Sequence, residues 1–465
     1  MRRSTARVFA WAVLAGVVAL SGCANVAPTP PPPTPVEWTV SVPAGTDEDV
    51  SHMAGLPGGG VAYATGRRWG NFPSVLPSLI LAFDVDGNEM WTYQVDGVVT
   101  SLDTVRDGRL IAGVTPPGAN WFPPFDRATH DPVPYLMVLR ADGTPDPAFG
   151  IDGRAPVTLP EGAVTQEGPD PYWNGFPSRA VTAVSQSPSG DLLVAGGTFE
   201  AYVFCSKWGS TVANYLMRFG RMGSPDPTYG NGQPFPLSEG EFGHCSGKSI
   251  NGTKLAVLDD GSVLAATRGF PRLVKVVPDG SGLDTSFGDG GSIHDITSLG
   301  PRCTLRYGPA TLLSTKPDGS ILVGFGETPE AAWGSPPPSP LPCLDGVTRL
   351  SAAGSLDENY AGDGLYDTHS WAGIDPKTVA LQDPSKDLIT IADMRLDPMI
   401  GQYVTEIIAD GSSRSTTMLS SAVPDPGPVE GVVDGAVDGL GNRYLLTTST
   451  GTESPLEIVA LGPPA

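Results

Sequence analysis

Residues 279–291 read Asp279-Gly280-Ser281-Gly282-Leu283-Asp284-Thr285-Ser286-Phe287-Gly288-Asp289-Gly290-Gly291: a glycine turn, an Asp-x-x-aromatic-Gly core and a second glycine turn. The core recurs as Asp146-Pro-Ala-Phe149-Gly150, Asp226-Pro-Thr-Tyr229-Gly230 and Asp357-Glu-Asn-Tyr360-Ala361, each time after a short apolar run of β character. Self-similarity at a period of tens of residues marks a repeat architecture, in which one supersecondary unit buries its apolar face only by stacking on its copies. The repeated residues have a structural reading. An aspartate side chain accepts hydrogen bonds from backbone amides two residues on and fixes the turn, while Phe149, Tyr229, Phe287 and Tyr360 pack between adjacent units.

Working outward from the core, each unit follows one grammar: apolar strand, turn, second strand of small residues, variable segment, third strand, turn and short fourth strand. The clearest copy starts at Val181-Thr-Ala-Val184, turns at Ser189-Gly190, runs through Leu192-Leu-Val-Ala-Gly196 and resumes after a long loop at Tyr215-Leu-Met217. First turns recur at Asp107-Gly108, Asp260-Gly261, Asp318-Gly319 and Pro384-Ser385, and third strands at Leu136, Val274, Val347 and Val404. Four short strands per unit joined by glycine turns predict an all-β fold, a single β-propeller. Units at about 50–95, 97–160, 178–238, 249–296, 307–368, 376–424 and 429–463 give seven four-stranded blades. The last unit ends on a third strand, Leu456-Glu-Ile-Val459-Ala460, whereas Trp38-Thr-Val-Ser-Val42 (within 37–43) precedes the first as an isolated strand. Pairing the two closes the ring and removes exposed sheet edges. Because the first, sixth and seventh units are degenerate, six or eight blades are also compatible with the pattern.

The amino-terminal 36 residues lie outside this pattern. Arg2, Arg3 and Arg7 precede an apolar run from Val8 to Leu20, the layout of an export signal and too short for a comfortable membrane span. Leu20-Ser21-Gly22-Cys23 resembles the bacterial lipobox, which implies that residues 1–22 are removed and that Cys23 is acylated as the first mature residue. Residues 23–36 then form a tether whose prolines, from Pro28 to Pro35, favour extended polyproline II at about 3 Å per residue. The folded body, 37–465, is thus expected at the extracytoplasmic side of a bacterial cell membrane, held by the lipid alone. The export route is left open.

The chain carries a net charge of −22, which becomes −25 without the three leader arginines. Such a surface repels phosphates, so nucleic acid is not an expected partner. With 59 Gly and 48 Pro the chain is turn-rich, yet 40% of it is hydrophobic, enough to bury a core. Beyond Cys23 the cysteines are Cys205, Cys245, Cys303 and Cys343, an even number that reads as disulfides outside the cytoplasm. None forms the tight pair zinc needs, and no metal or cofactor is expected.

Units two to five resemble the delta-60 repeat family on two motifs. Asp279-Gly280 with Leu283-Asp284-Thr-Ser-Phe287-Gly288 is similar to its outer-strand motif, and Pro317-Asp318-Gly319-Ser-Ile321-Leu-Val-Gly324 to its inner hairpin. Pro145 and Pro225 replace the leucine in two copies, and the sixth unit keeps only Asp410-Gly411. The resemblance implies an extracytoplasmic propeller and carries no activity. In the first unit, Ala82-Phe-Asp84-Val-Asp86-Gly87-Asn-Glu-Met-Trp91 resembles the tryptophan-docking motif of quinoprotein-type propellers, which supports a blade and implies no quinone.

Catalytic signatures are missing. There is no G-x-S-x-G elbow, the five histidines form no H-E-x-x-H pattern, and Gly243-His-Cys-Ser-Gly247-Lys248-Ser249 falls one residue short of a phosphate-cradling loop. Asp84-Val-Asp86-Gly-Asn88 alternates oxygen ligands as a calcium loop does, but Glu89 stands where that loop needs glycine, and a hairpin turn is the simpler reading. No catalytic residue is assigned. In a four-stranded blade, the segment between strands two and three and the connection to the next blade leave at one end, opposite the two hairpin turns. The long segments carry Trp69, Trp121, Trp173, Trp208, Trp333 and Trp371. The four cysteines fall at that end too. Pairing Cys205 with Cys245 and Cys303 with Cys343 is the preferred one of three connectivities, because each bridge would staple a loop to its own blade's connection. Stapled, tryptophan-rich segments make either a recognition surface or plugs of their own loop cores. The functional expectation is a binding or scaffold module for a protein or envelope glycan. A hydrolase or lyase of glycosidase or lactonase type, using acids near the central channel, is one alternative, and a structural envelope protein is another.

Overall fold

In the second strands Val61–Ala64, Leu110–Thr115 and Val263–Ala266 every residue is buried. Apolar residues run continuously there because each sheet is covered on both faces by its neighbours, so the alternation of a half-exposed strand is lost. It returns at the rim, where Glu89–Val95 places Trp91, Tyr93 and Val95 inward of exposed neighbours. The computed structural model describes residues 37–43, 52–65, 78–116, 133–160, 177–204, 207–243, 253–267, 273–293, 310–325, 346–362, 365–367, 379–383, 388–395, 401–408, 413–418, 429–449 and 456–462. All belong to the unit Thr34–Pro464. Among them no helix is long and apolar enough to cross a membrane.

The strands form seven four-stranded antiparallel sheets. Blade one holds His52–Gly55, Val61–Ala64, Ser78–Phe83 and Glu89–Val95; blade two Val98–Thr104, Leu110–Thr115, Tyr135–Leu139 and Arg154–Pro156. Blade three holds Pro177–Gln186, Leu192–Phe204, Lys207–Phe219 and Phe235–Gly243; blade four Lys254–Val257, Val263–Ala266, Leu273–Val276 and Ser292–Ile293. Blade five holds Ala310–Thr315, Ile321–Phe325, Gly346–Leu350 and Leu365–Asp367; blade six Val379–Asp383, Leu388–Arg395, Gly401–Ile408 and Ser413–Met418. Blade seven combines Val429–Val437, Arg443–Ser449 and Leu456–Gly462 with the amino-terminal strand Trp38–Val42. First strands touch first strands all the way round, blade seven against blade one included, so this is a closed seven-bladed β-propeller. Six- and eight-bladed rings are ruled out.

Closure is antiparallel, with Trp38 opposite Ala460 and Val42 opposite Leu456. Polar groups lock the same seam: the Asp438 carboxylate accepts from the Gly60 amide (2.9 Å) and the Tyr444 hydroxyl (2.8 Å). Neighbouring blades are joined by one repeated device. At five of the joints, among the described residues, an aromatic from the outer part of one blade lies beneath the glycine of the next blade's outer turn: Trp38 under Gly87, Trp91 under Gly143, Phe149 under Gly223, Tyr229 under Gly280 and Phe287 under Gly354. Trp38 and Trp91 also donate their indole N–H to the carbonyls of Val85 (2.7 Å) and Ala141 (2.9 Å). The tryptophan-docking motif and the Asp-x-x-aromatic-Gly repeat are therefore the same joint built from different rings. Each repeated aspartate accepts from the amide two residues on, at Ala148, Thr228, Ser286 and Asn359. Its second oxygen takes a basic side chain: Arg109 for Asp146, Arg218 for Asp226, Lys275 for Asp284 and Arg349 for Asp357.

Blade three departs from the expected pattern. The loop expected between Gly196 and Tyr215 is an extension of the sheet, with strands Leu192–Phe204 and Lys207–Phe219 paired from Leu192 opposite Phe219 out to Phe204 opposite Lys207. The segment Thr198-Phe-Glu-Ala-Tyr-Val-Phe204 is rich in β-branched and aromatic residues, which favour a pleated strand over a coil.

Candidate functional site in the central channel

The innermost strands share one register. In blades one, two, four and seven the last pairs before the inner hairpin turn are Gly55 with Val61, Thr104 with Leu110, Val257 with Val263 and Val437 with Arg443. Counted back from those pairs, His52, Lys254 and Asp434 occupy the same strand position on three different blades. Asp103 sits two residues nearer its own turn, hence on the same side of the strand and about 7 Å closer to the hairpin end. Together with Met53, Leu312, Leu313 and Leu381, the side chains of Asp103, Lys254 and Asp434 line a cavity of about 450 Å³ at the centre of the ring. Gly55, Pro57, Asp438 and Gly439 continue the lining to the hairpin turns. The cavity is therefore at the hairpin end of the channel.

The carboxylates are held by main chain. Asp434 accepts from the Met53 amide of the next blade (2.9 Å) and from the Gly435 amide (2.9 Å), and Asp103 accepts from the Thr104 amide (2.7 Å). Burial pushes the Asp103 carboxyl up to about 6, against the lowering effects of the Thr104 amide and of Lys254. Burial raises Asp434 as well, opposed by Lys254 and the two amides. His52 is driven down to about 3, first by burial and then by the positive charge of Lys254. It is neutral at physiological pH and a poor general base. His52, Asp103 and Asp434 are half-buried and Lys254 is exposed, because the channel leaves an aqueous side.

Acids from two blades thus enter one cavity, as a hydrolase would require. Here they share the cavity with an ammonium group, and the histidine that feels the same ammonium stays neutral, an arrangement better suited to holding charges than to activating a nucleophile.

The residues singled out in the sequence have different fates. Cys23, Cys205, Cys245, Cys303 and Cys343 lie outside the described residues, as do Trp69, Trp121, Trp173, Trp333 and Trp371. Trp208 does not sit in a loop: its backbone belongs to the strand Lys207–Phe219, opposite Val203. Asp84 is occupied by its own turn, accepting from the amides of Asp86 (2.9 Å) and Asn88 (2.8 Å), as the hairpin reading requires. Among the described residues no group of three or more His, Cys, Asp or Glu is placed to hold a metal.

Sequence reasoning missed His52, Asp103, Lys254 and Asp434. A signal exists: each is a charged or titratable residue in the first strand of a blade, a strand made largely of small and apolar residues, as in Lys254-Leu-Ala-Val257. Reading them as a cluster required the ring.

No family model matches the chain, and neither does any curated protein. Among solved structures it is similar to Kuenenia stuttgartiensis hydrazine synthase, at 11% identity over 87% of this chain and 94% of that one, with a TM-score of 0.42. It is also similar to an α-L-arabinofuranosidase from Fusarium graminearum, at 8% identity over 91% and 97%, TM-score 0.41. A third is the WD40 domain of SCAP from fission yeast, at 9% identity over 91% and 98%, TM-score 0.34. Nothing about the chemistry of the channel follows from likenesses at this level.

Proposed function

We propose that this protein is a lipid-anchored, extracytoplasmic binding module: a propeller carried on Cys23 and a proline tether, engaging a partner protein or an envelope glycan at the end of the ring opposite its hairpin turns. The observation that supports the reading is the contrast between the two ends of the blades. At the hairpin end, five-residue turns repeat from blade to blade, with Asp107, Asp260, Asp318 and Asp438 each accepting from the amide two residues on. Such turns are satisfied internally and leave little to offer a partner. The segments that the sequence assigns to the opposite end, 66–77, 117–132, 161–176, 326–345 and 368–378, lie outside the described residues and carry Trp69, Trp121, Trp173, Trp333 and Trp371, rigid aromatics of the kind that anchor interfaces and stack on sugars. Loops displayed by a stiff scaffold are where binding residues concentrate.

Two experiments test the reading. A Cys23→Ala variant should move to the soluble extracytoplasmic fraction, and retention in the membrane would disprove the anchor. Capture on isolated envelopes, with and without prior proteolysis, should survive proteolysis for a glycan partner and be lost for a protein partner. Changing Trp69 with Trp121, or Trp173 with Trp333, to alanine should weaken capture, and undiminished capture by both pairs removes the recognition role.

A further inference from the structure

We propose that the central channel is a separate ligand site for a small zwitterion with an apolar side chain, a free amino acid or a dipeptide. The inference does not rest on the loop-face reading, since the cavity is at the other end of the ring. Three charges border one space and are sorted by blade. The carboxylates of Asp103 and Asp434 come from blades two and seven, the two neighbours of blade one, and the Lys254 ammonium comes from blade four, farther round the ring. Lys254 acts electrostatically on both carboxylates. Among the described residues it makes neither a hydrogen bond nor an ion pair with them or with any other side chain.

Opposite charges that share a cavity without touching are only partly compensated: the two carboxylates are met by backbone amides alone, and the exposed Lys254 ammonium by solvent. A molecule with an ammonium at one end and a carboxylate at the other supplies both partners. Its ammonium donates to Asp434 and Asp103, and its carboxylate accepts from Lys254 Nζ. The Met53 and Gly435 amides hold Asp434 in place before any ligand arrives, so little ordering is left to bind against. Leu312, Leu313, Leu381 and Met53 form an apolar wall for the ligand's side chain, and a cavity of about 450 Å³ admits a dipeptide as readily as a single amino acid. The elevated carboxyl of Asp103 agrees with this geometry: an arriving ammonium favours its ionised form, so binding near pH 6 displaces a proton. A ligand that lacks either charge leaves one side of the site without its counter-charge.

The test is calorimetric titration of the detergent-solubilised full-length protein with L-leucine and leucyl-leucine, beside leucinamide, which lacks the carboxylate, and isocaproate, which lacks the ammonium. The zwitterions should bind at least about tenfold more tightly than either half-charged analogue, the loss of one charge-assisted contact. At pH 6, titrations in two buffers of different ionisation enthalpy should show proton release on binding. Lys254→Met should abolish the preference for leucine over leucinamide, and Asp103→Asn should abolish the proton release. No heat from either zwitterion at millimolar concentration overturns the proposal. So does equal affinity for leucine and leucinamide in the unaltered protein, or a preference that survives in Lys254→Met. Should that variant fail to fold, proton release persisting in Asp103→Asn overturns it instead. The paired tryptophan variants leave this site intact, so failure here and failure of the loop-face reading are separately visible.

Discussion

Gly280 has φ +70°, and a methyl group there would lie 2.6 Å from the Tyr229 ring of the preceding blade. Gly108 has a similar φ of +87° with nothing within 4 Å of that position. The pair separates two costs of one substitution. Gly108→Ala should lose about 1 kcal/mol to backbone strain alone, whereas Gly280→Ala should lose about 2–4 kcal/mol, because the ring must also move. Chemical denaturation of both variants checks the difference, and equal losses would mean that the aromatic–glycine joint does not hold the blades. Charge at the same repeat gives a second prediction. Hydrogen bonds from Ser286 and Lys275 hold Asp284 down to about 2, below its unfolded value. A lowered carboxyl contributes stability above the unfolded value and loses it as pH falls through the folded one. Asp284→Asn should therefore cost about 1–2 kcal/mol at pH 7 and almost nothing at pH 2, measured by melting across that range. The turn and its aromatic were legible in the repeat because both act within a few residues. The basic partners were not, since Arg109 reaches Asp146 from the blade's first hairpin turn, 37 residues away.

The most informative single element is Trp38–Val42. It is the outer strand of blade seven, and Trp38 is also the ring that docks beneath Gly87 of blade one. Both contacts join the two ends of the chain, so the strand acts as a clasp. Removing residues 37–43 should expose the edge of Leu456–Gly462 and produce a protein that oligomerises at concentrations where the intact chain does not, as light scattering would record. Trp38→Ala keeps the strand and removes the ring, and should cost about 2–4 kcal/mol without that oligomerisation. The clasp was predictable from counting strands, because a unit that ends one strand short needs a donor. The blade-three extension was not: strand and long loop share a composition there, and only pairing partners across the hairpin distinguish them.

At the scale of the whole ring, the channel acids set a pH dependence of opposite sign to that of Asp284. The Asp103 carboxyl titrates near 6, above its unfolded value, so the native state holds its proton more tightly. That contribution is complete in acid, declines as pH rises through about 4 to 6, and leaves an ionised carboxylate in a costly place at neutral pH. Asp103→Asn should raise stability at pH 7.5 by about 1 kcal/mol, a figure reduced by screening through the open channel, and change it little at pH 4. Melting curves at the two pH values check the prediction, and a loss of stability at pH 7.5 would refute it. By itself the amino-acid sequence determined the blade, its number of strands and the amino-terminal closure, and it favoured seven units while leaving six or eight open until the ring was seen to close. Those follow from periodicity, turn chemistry and the need to pair every edge, all of which are written locally along the chain. Only the tertiary structure decided that His52, Lys254 and Asp434, separated by up to several hundred residues, occupy matching strand positions around one channel, with Asp103 on the same side two residues nearer its turn. Each is a single residue within its own blade, and a cluster of singletons leaves no periodic trace until the ring closes and brings the blades' inner strands together.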